Sequence, residues 1–169
     1  MDFATEYLSQ LETFAASARV PRVRALHLPP ERPVRDNRGE FCALELDDGS
    51  LGLSYVLLDD TLARLTREAG SMGLAGADAL EVARKYRGGA GIRKTVGFAT
   101  ANAITRCLFD RAGFRPDDSS DSIGQLDPGP DDHVGMIGLF TPLVGRVLAT
   151  GARLTVLELR AELAGEREG

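Results

Sequence analysis

Apolar residues near the start of the chain fall on one face at a 3.6-residue period: Phe3, Tyr7, Leu8, Leu11, Phe14, Ala15 and Ala18. The spacing predicts a helix with Asp2 as N-cap, Glu6 in the first turn and Pro21 as a stop signal. The period then shortens to two. VRALHL, FCALEL and SLGLSYVLL read as three strands. The charged, proline-rich PPERPVRDNRG is an exposed turn or arm between the first two, and DDGS is a hairpin turn between the last two. Consecutive strands with short turns predict an antiparallel meander. From Asp60 the helical period returns in TLARLTREAG, ending at Gly70. It continues in ADALEVARKY and, after the break GGAG, in TVGFATANAITRCLFDRAG, which ends at Gly113. Val96, Ala99, Ala103 and Cys107 form one stripe of that third helix, with Ile104 and Leu108 beside it.

Residues 114–132 are rich in Asp, Ser and Pro and read as a linker. The pattern beyond it is different. HVGMIGLF is a short unbroken apolar run, as in a strand buried on both faces. TPLVGRVLATG follows as a helix with Thr141 at the N-cap and Pro142 at the first helical position. RLTVLEL is a second strand of the buried type. Together they make one βαβ unit, for which a right-handed crossover is the strong preference. The expected fold class is therefore α+β. A three-stranded meander with helices occupies residues 1–113, and the opening βαβ unit of an α/β domain occupies residues 133–169.

Composition narrows the function classes. A net charge of -5 and a pI near 5.1 argue against broad nucleic-acid binding, which needs a basic face. No apolar run reaches membrane-spanning length, and the amphipathic, acidic N-terminus is unlike a signal peptide, so a cytoplasmic protein is expected. Cys42 and Cys107 stand apart in apolar surroundings and read as core thiols. His27 and His133 are isolated, and no Cys-x-x-Cys spacing marks a zinc site.

Three strings carry candidate chemistry. In VGMIGLFTP, Gly135 and Gly138 are placed at a strand end with a helix start close behind, where backbone approach and free N–H groups suit a ligand. Glu158 closes the following strand, 20 residues after Gly138, where an acidic side chain takes a ribose hydroxyl in dinucleotide folds. The full G-x-G-x-x-G is missing, because Phe140 and Thr141 occupy the turn, and a tight turn needing glycine for packing is the plainer reading. GGAGIRKT matches a P-loop at Gly88, Lys94 and Thr95, but Arg93 replaces the second glycine and a helix precedes it instead of a strand. What remains is a weak anion site at Arg93 and Lys94, or solvated basic residues. FATANAI sets Thr100 and Asn102 within a helix, either toward a ligand or in a satisfied helix–helix hydrogen bond. The aspartates of the linker lack calcium-loop spacing, and no Ser-His-Asp set, Cys-His set or spaced carboxylate pair identifies a catalytic group.

GFATANAI, followed after the linker by DDHVGMIGLFTPLVGRVLATGARLTVLEL, resembles the prokaryotic family named Putative heavy-metal chelation. The resemblance implies an enolase N-terminal-like domain at 1–113, with SLGLSYVLL as its third strand, and a Rossmann-like domain from 133. It implies a ligand in the crevice between them, with Thr100 and Asn102 on one side and Gly138, Phe140, Thr141 and Glu158 on the other. The implied ligand is a heavy-metal ion, or a metal-bearing or pterin-like small molecule. A binding protein, an enzyme on such a cofactor, and an incomplete paralogue serving as a structural partner all remain open. The Rossmann-like part ordinarily continues beyond the length present here. A homodimer or a partner chain completing the sheet is therefore expected if this length is natural.

Overall fold

The computed structural model describes residues 2–31, 39–116 and 126–158. The chain divides into two compact units, Met1–Arg115 and Pro116–Gly169.

The first unit is mixed α+β. Helix α1 (Phe3–Ser17) starts at Asp2, whose carboxylate accepts the Thr5 N–H at 2.9 Å. Strands β1 (Val23–His27), β2 (Phe41–Leu46) and β3 (Leu51–Tyr55) form an antiparallel meander in that order, with Leu26 opposite Leu44 and Leu44 opposite Gly52. The β2–β3 turn forms because Gly49 takes φ +86° and the Asp48 carboxylate accepts the Ser50 N–H at 3.0 Å. Alternation on β2 buries Cys42, Leu44 and Leu46. β3 ends at Tyr55, so Val56 is buried beyond the ladder and the last residues of SLGLSYVLL lie outside the strand.

The helices that follow are α2 (Thr61–Glu68), α3 (Ala79–Ala83), α4 (Lys85–Gly88) and α5 (Ile92–Arg111). ADALEVARKY was expected as one helix and is two. The chain bends at Arg84, whose guanidinium pairs with Glu81 and with Glu12 of α1, the latter at 2.9 Å. α5 begins three residues before the expected Thr95, because Gly91 at φ +52° turns the chain and Ile92 is already buried. α5 is the hub of the unit. Val96, Ala99, Ala103, Ile104 and Cys107 are buried as the stripe required, and Gly97, Thr100 and Ala101 are buried as well. A helix packed on several sides needs small residues where backbones approach it, which accounts for its run of Gly and Ala.

The second unit contains β4 (His133–Ile137), α6 (Thr141–Ala149) and β5 (Arg153–Leu157). β4 and β5 pair in parallel from His133 opposite Arg153 to Ile137 opposite Leu157. Two expectations are corrected. Phe140, not Thr141, is the N-cap of α6, and Thr141 is its first helical residue. The strands are not buried on both faces: Met136 is the buried residue of β4, while Ile137 is 82% exposed and Leu157 65% exposed. One helix covers only one face of a strand pair, and an apolar run by itself does not specify what lies opposite. Among the described residues no helix is long and apolar enough to cross a membrane.

Candidate functional site

Parallel pairing carries both strands of the second unit toward one end, and the residues there converge. The Gly138 N–H donates to the Leu157 carbonyl at 2.7 Å, with Gly138 at φ +83°. The Leu139 N–H donates to Glu158 Oε2 at 3.0 Å. A Cβ placed on Gly138 would meet the Phe140 ring at 3.4 Å, so the ring lies directly over the turn. Phe140 and Thr141 are exposed and Glu158 is half-buried. Four of the predicted residues, Gly138, Phe140, Thr141 and Glu158, therefore come together at the carboxyl ends of a parallel pair, the position at which open α/β sheets receive ligands. The cluster offers an aromatic face, a hydroxyl and a carboxylate. Gly135 is not at the strand end: it is the middle residue of β4, opposite Thr155. His133 is at the other end of the pair, its Nε2 at 2.8 Å from Thr155 Oγ1.

In the first unit the polar residues of FATANAI are engaged internally. Thr100 is fully buried, and its hydroxyl donates to the Val96 carbonyl at 2.7 Å. Asn102 Nδ2 donates to the Leu53 carbonyl of β3 at 2.8 Å, and its Oδ1 accepts the Tyr7 hydroxyl of α1 at 2.9 Å. Tyr7 Oη is also 2.6 Å from Thr105 Oγ1. Asn102 thus ties α1 and β3 to α5. Burial raises the Tyr7 pKa above 10.0, which keeps the phenol protonated as a donor. Tyr7 and Thr105 were not singled out from the sequence. The available signal was a hydroxyl within the apolar stripe of α1. Arg93 is exposed at the start of α5, and Lys94 lies over the Tyr86 ring at 5.8 Å.

Metal-ligating chemistry is sparse here. Among the described residues, no group of three or more His, Cys, Asp or Glu is placed to share an ion. Cys42 and Cys107 are buried free thiols, and burial pushes each pKa from 9.0 to about 11. At Cys107 the hydrogen-bonded Asp48 carboxylate pushes the same way. The thiolate is the reactive form, so neither buried cysteine is poised to react. Both are expected to resist iodoacetamide in the native protein at about pH 8 and to react fully once unfolded. Folding raises these pKa values, so the stability they contribute is whole below pH 9.0 and is lost as the pH rises toward about 11. A guanidinium midpoint that falls across this window is the expected result, and a flat one contradicts it.

Comparison with known proteins adds three findings. Residues 37–105 match the family model DUF4213, whose description is "Putative heavy-metal chelation". A solved structure from Desulfitobacterium hafniense, a DUF364-family protein of unknown function, is similar with a TM-score of 0.59 and 15% identity. The match covers 94% of this chain and 59% of that one, so this chain spans less than two thirds of its length. At that identity the likeness concerns fold alone. No curated protein matches.

Proposed function

We propose, from the match of residues 37–105 to the Putative heavy-metal chelation family, that this chain binds a small molecule or a metal complex, and that the turn after β4 is a contact surface for it. The observation that carries this is the convergence of Gly138, Phe140, Thr141 and Glu158 at the carboxyl ends of β4 and β5. An aromatic face beside a carboxylate suits a flat heterocycle bearing N–H or O–H donors, or a metal held in an organic frame. Both thiols are buried, and among the described residues no three ligating side chains are placed to share an ion, which favours a metal that arrives with its own organic ligands over one bound by cysteine. In the same proposal β4–α6–β5 is the first βαβ unit of a Rossmann-like domain, supported by its parallel pairing, and the meander with helices is an enolase N-terminal-like domain.

Native mass spectrometry of the full chain tests the site. The probes are any mass the purified protein retains, together with zinc(II), copper(II) and 6-hydroxymethylpterin. Loss of a hydrogen bond to a charged group costs about 1.5–3 kcal/mol, so Glu158→Ala is expected to weaken binding roughly 10- to 100-fold. Glu158 also caps the turn, so Phe140→Ala and Thr141→Val are needed beside it. Weakened binding by all three folded variants supports the site. Binding untouched by any of them, or a wild-type protein that takes up none of the probes, overturns it.

A further inference from the structure

The first unit contains a cavity of about 470 Å³ where α2, α3, α4 and the start of α5 meet. Its apolar lining includes Met72, Leu74, Val82 and Val96, and its charged lining comprises Arg64, Glu68, Asp78, Glu81, Lys85 and Arg93. The volume is in the range of small-molecule pockets. By formal charge the lining is balanced, but its charges are not paired alike. Glu68 pairs with Arg64 at 3.3 Å. Asp78 caps α3, accepting the Glu81 N–H at 3.0 Å. Glu81 pairs with Arg84, which lies outside the lining and is shared with Glu12. Lys85 and Arg93, by contrast, have no ion-pair or hydrogen-bond partner for their side chains among the described residues. Arg64 is near them in the lining: its Nη1 is 3.2 Å from the point a Cβ on Gly91 would occupy, at the start of α5. Three cationic residues therefore line the cavity, and of these only Arg64 has a carboxylate partner among the described residues.

We propose that this cavity binds a small amphipathic anion, a carboxylate or phosphate monoester on an apolar body, with Lys85 and Arg93 receiving the anion. The apolar side chains take the body, and Lys85 and Arg93, unpaired by any carboxylate among the described residues, favour an anionic head over a cationic one of the same shape. The site lies within the first unit and stands or falls independently of the turn after β4.

Titration calorimetry of the full chain at low salt, with octanoate, octyl phosphate, 1-octanol and octylamine, tests it. One or both anions are expected to bind at least about tenfold more tightly than 1-octanol, with the preference shrinking as salt is added. Which anion binds more tightly identifies the headgroup. The double variant Lys85→Ala/Arg93→Ala is expected to lose that preference, and Arg87→Ala, a basic neighbour outside the lining, to retain it. Circular dichroism confirms that each variant is folded, and the single variant Arg93→Gln serves if the double does not fold. Equal binding of anion and alcohol, tighter binding of the amine, or a preference that survives in the folded variant overturns the proposal.

Discussion

Gly52→Ala is expected to unfold the first unit or to cost it roughly 3–5 kcal/mol, more than the about 1–3 kcal/mol usual for overpacking. β3 crosses α5 at this glycine with no room for a side chain. A Cβ there would lie 2.1 Å from the Ala103 nitrogen, 2.1 Å from the Ala99 carbonyl oxygen and 2.7 Å from the Asn102 carbonyl carbon. All three are backbone atoms of the central helix, so no rotamer change relieves the clash. Either β3 lifts away or α5 shifts, and the Asn102–Leu53 hydrogen bond is lost in both cases. Gly70→Ala is the matched control, because nothing lies within 4 Å of its Cβ position and its φ is ordinary. Guanidinium denaturation followed by circular dichroism should separate the two variants clearly. Similar midpoints for Gly52→Ala and Gly70→Ala contradict the packing described.

Gly97→Ala is expected to destabilise by roughly 2–4 kcal/mol, although alanine is the better helix former by about 1 kcal/mol. The clash and the propensity oppose each other here, and the clash is larger. A Cβ on Gly97 would lie 2.3 Å from the Tyr86 nitrogen and 2.7 Å from the Lys85 carbonyl carbon, so α4 would have to move off α5. At 3.6 residues per turn, Ala99 and Ala103 lie roughly 200° and 240° around the helix from Gly97. α5 is therefore held between two backbones on nearly opposite sides, β3 at Gly52 and α4 at Gly97. Lys85, Ile92, Arg93 and Val96 line the cavity around this crossing, so anion binding should fall along with stability. A variant more stable than wild type would mean that propensity prevails and that α4 is not pressed against α5.

These two glycines also mark how far the sequence was legible. Period alone located α1 with its Asp2 cap, the meander, the α5 stripe and the β4–α6–β5 unit, because local spacing encodes which face is apolar. It did not disclose which face meets another backbone. Gly52 and Gly97 sit inside a strand and a helix, where glycine is locally costly, and that cost was the available sign of close approach. Asn102 stood out as polar on a helix, yet its partners are Leu53, far along the chain, and Tyr7, 95 residues away, a pairing that no spacing rule reaches. The bend at Arg84 was hidden for the same reason, since it depends on Glu12 of α1. At the turn after β4 the residues were legible and their convergence was not. Glycine followed by a helix start located Gly138, whereas the contact from Leu139 to Glu158 depends on parallel register. The unbroken apolar runs misled because a continuous run is equally compatible with one covered face.

The binding proposed for this chain is of a small molecule or a metal complex whose metal, where present, is not held by cysteine. Native mass spectrometry with elemental analysis, on full-length protein before and after denaturation, tests it most directly. The predicted result is a non-covalent mass released on denaturation, any metal leaving in proportion to an organic component, and the same retention in Cys42→Ser and Cys107→Ser variants that remain folded. A chain that stays at its bare mass through purification and after incubation with zinc(II), copper(II) and 6-hydroxymethylpterin would contradict the claim. So would bare metal lost when either thiol is replaced in a folded variant.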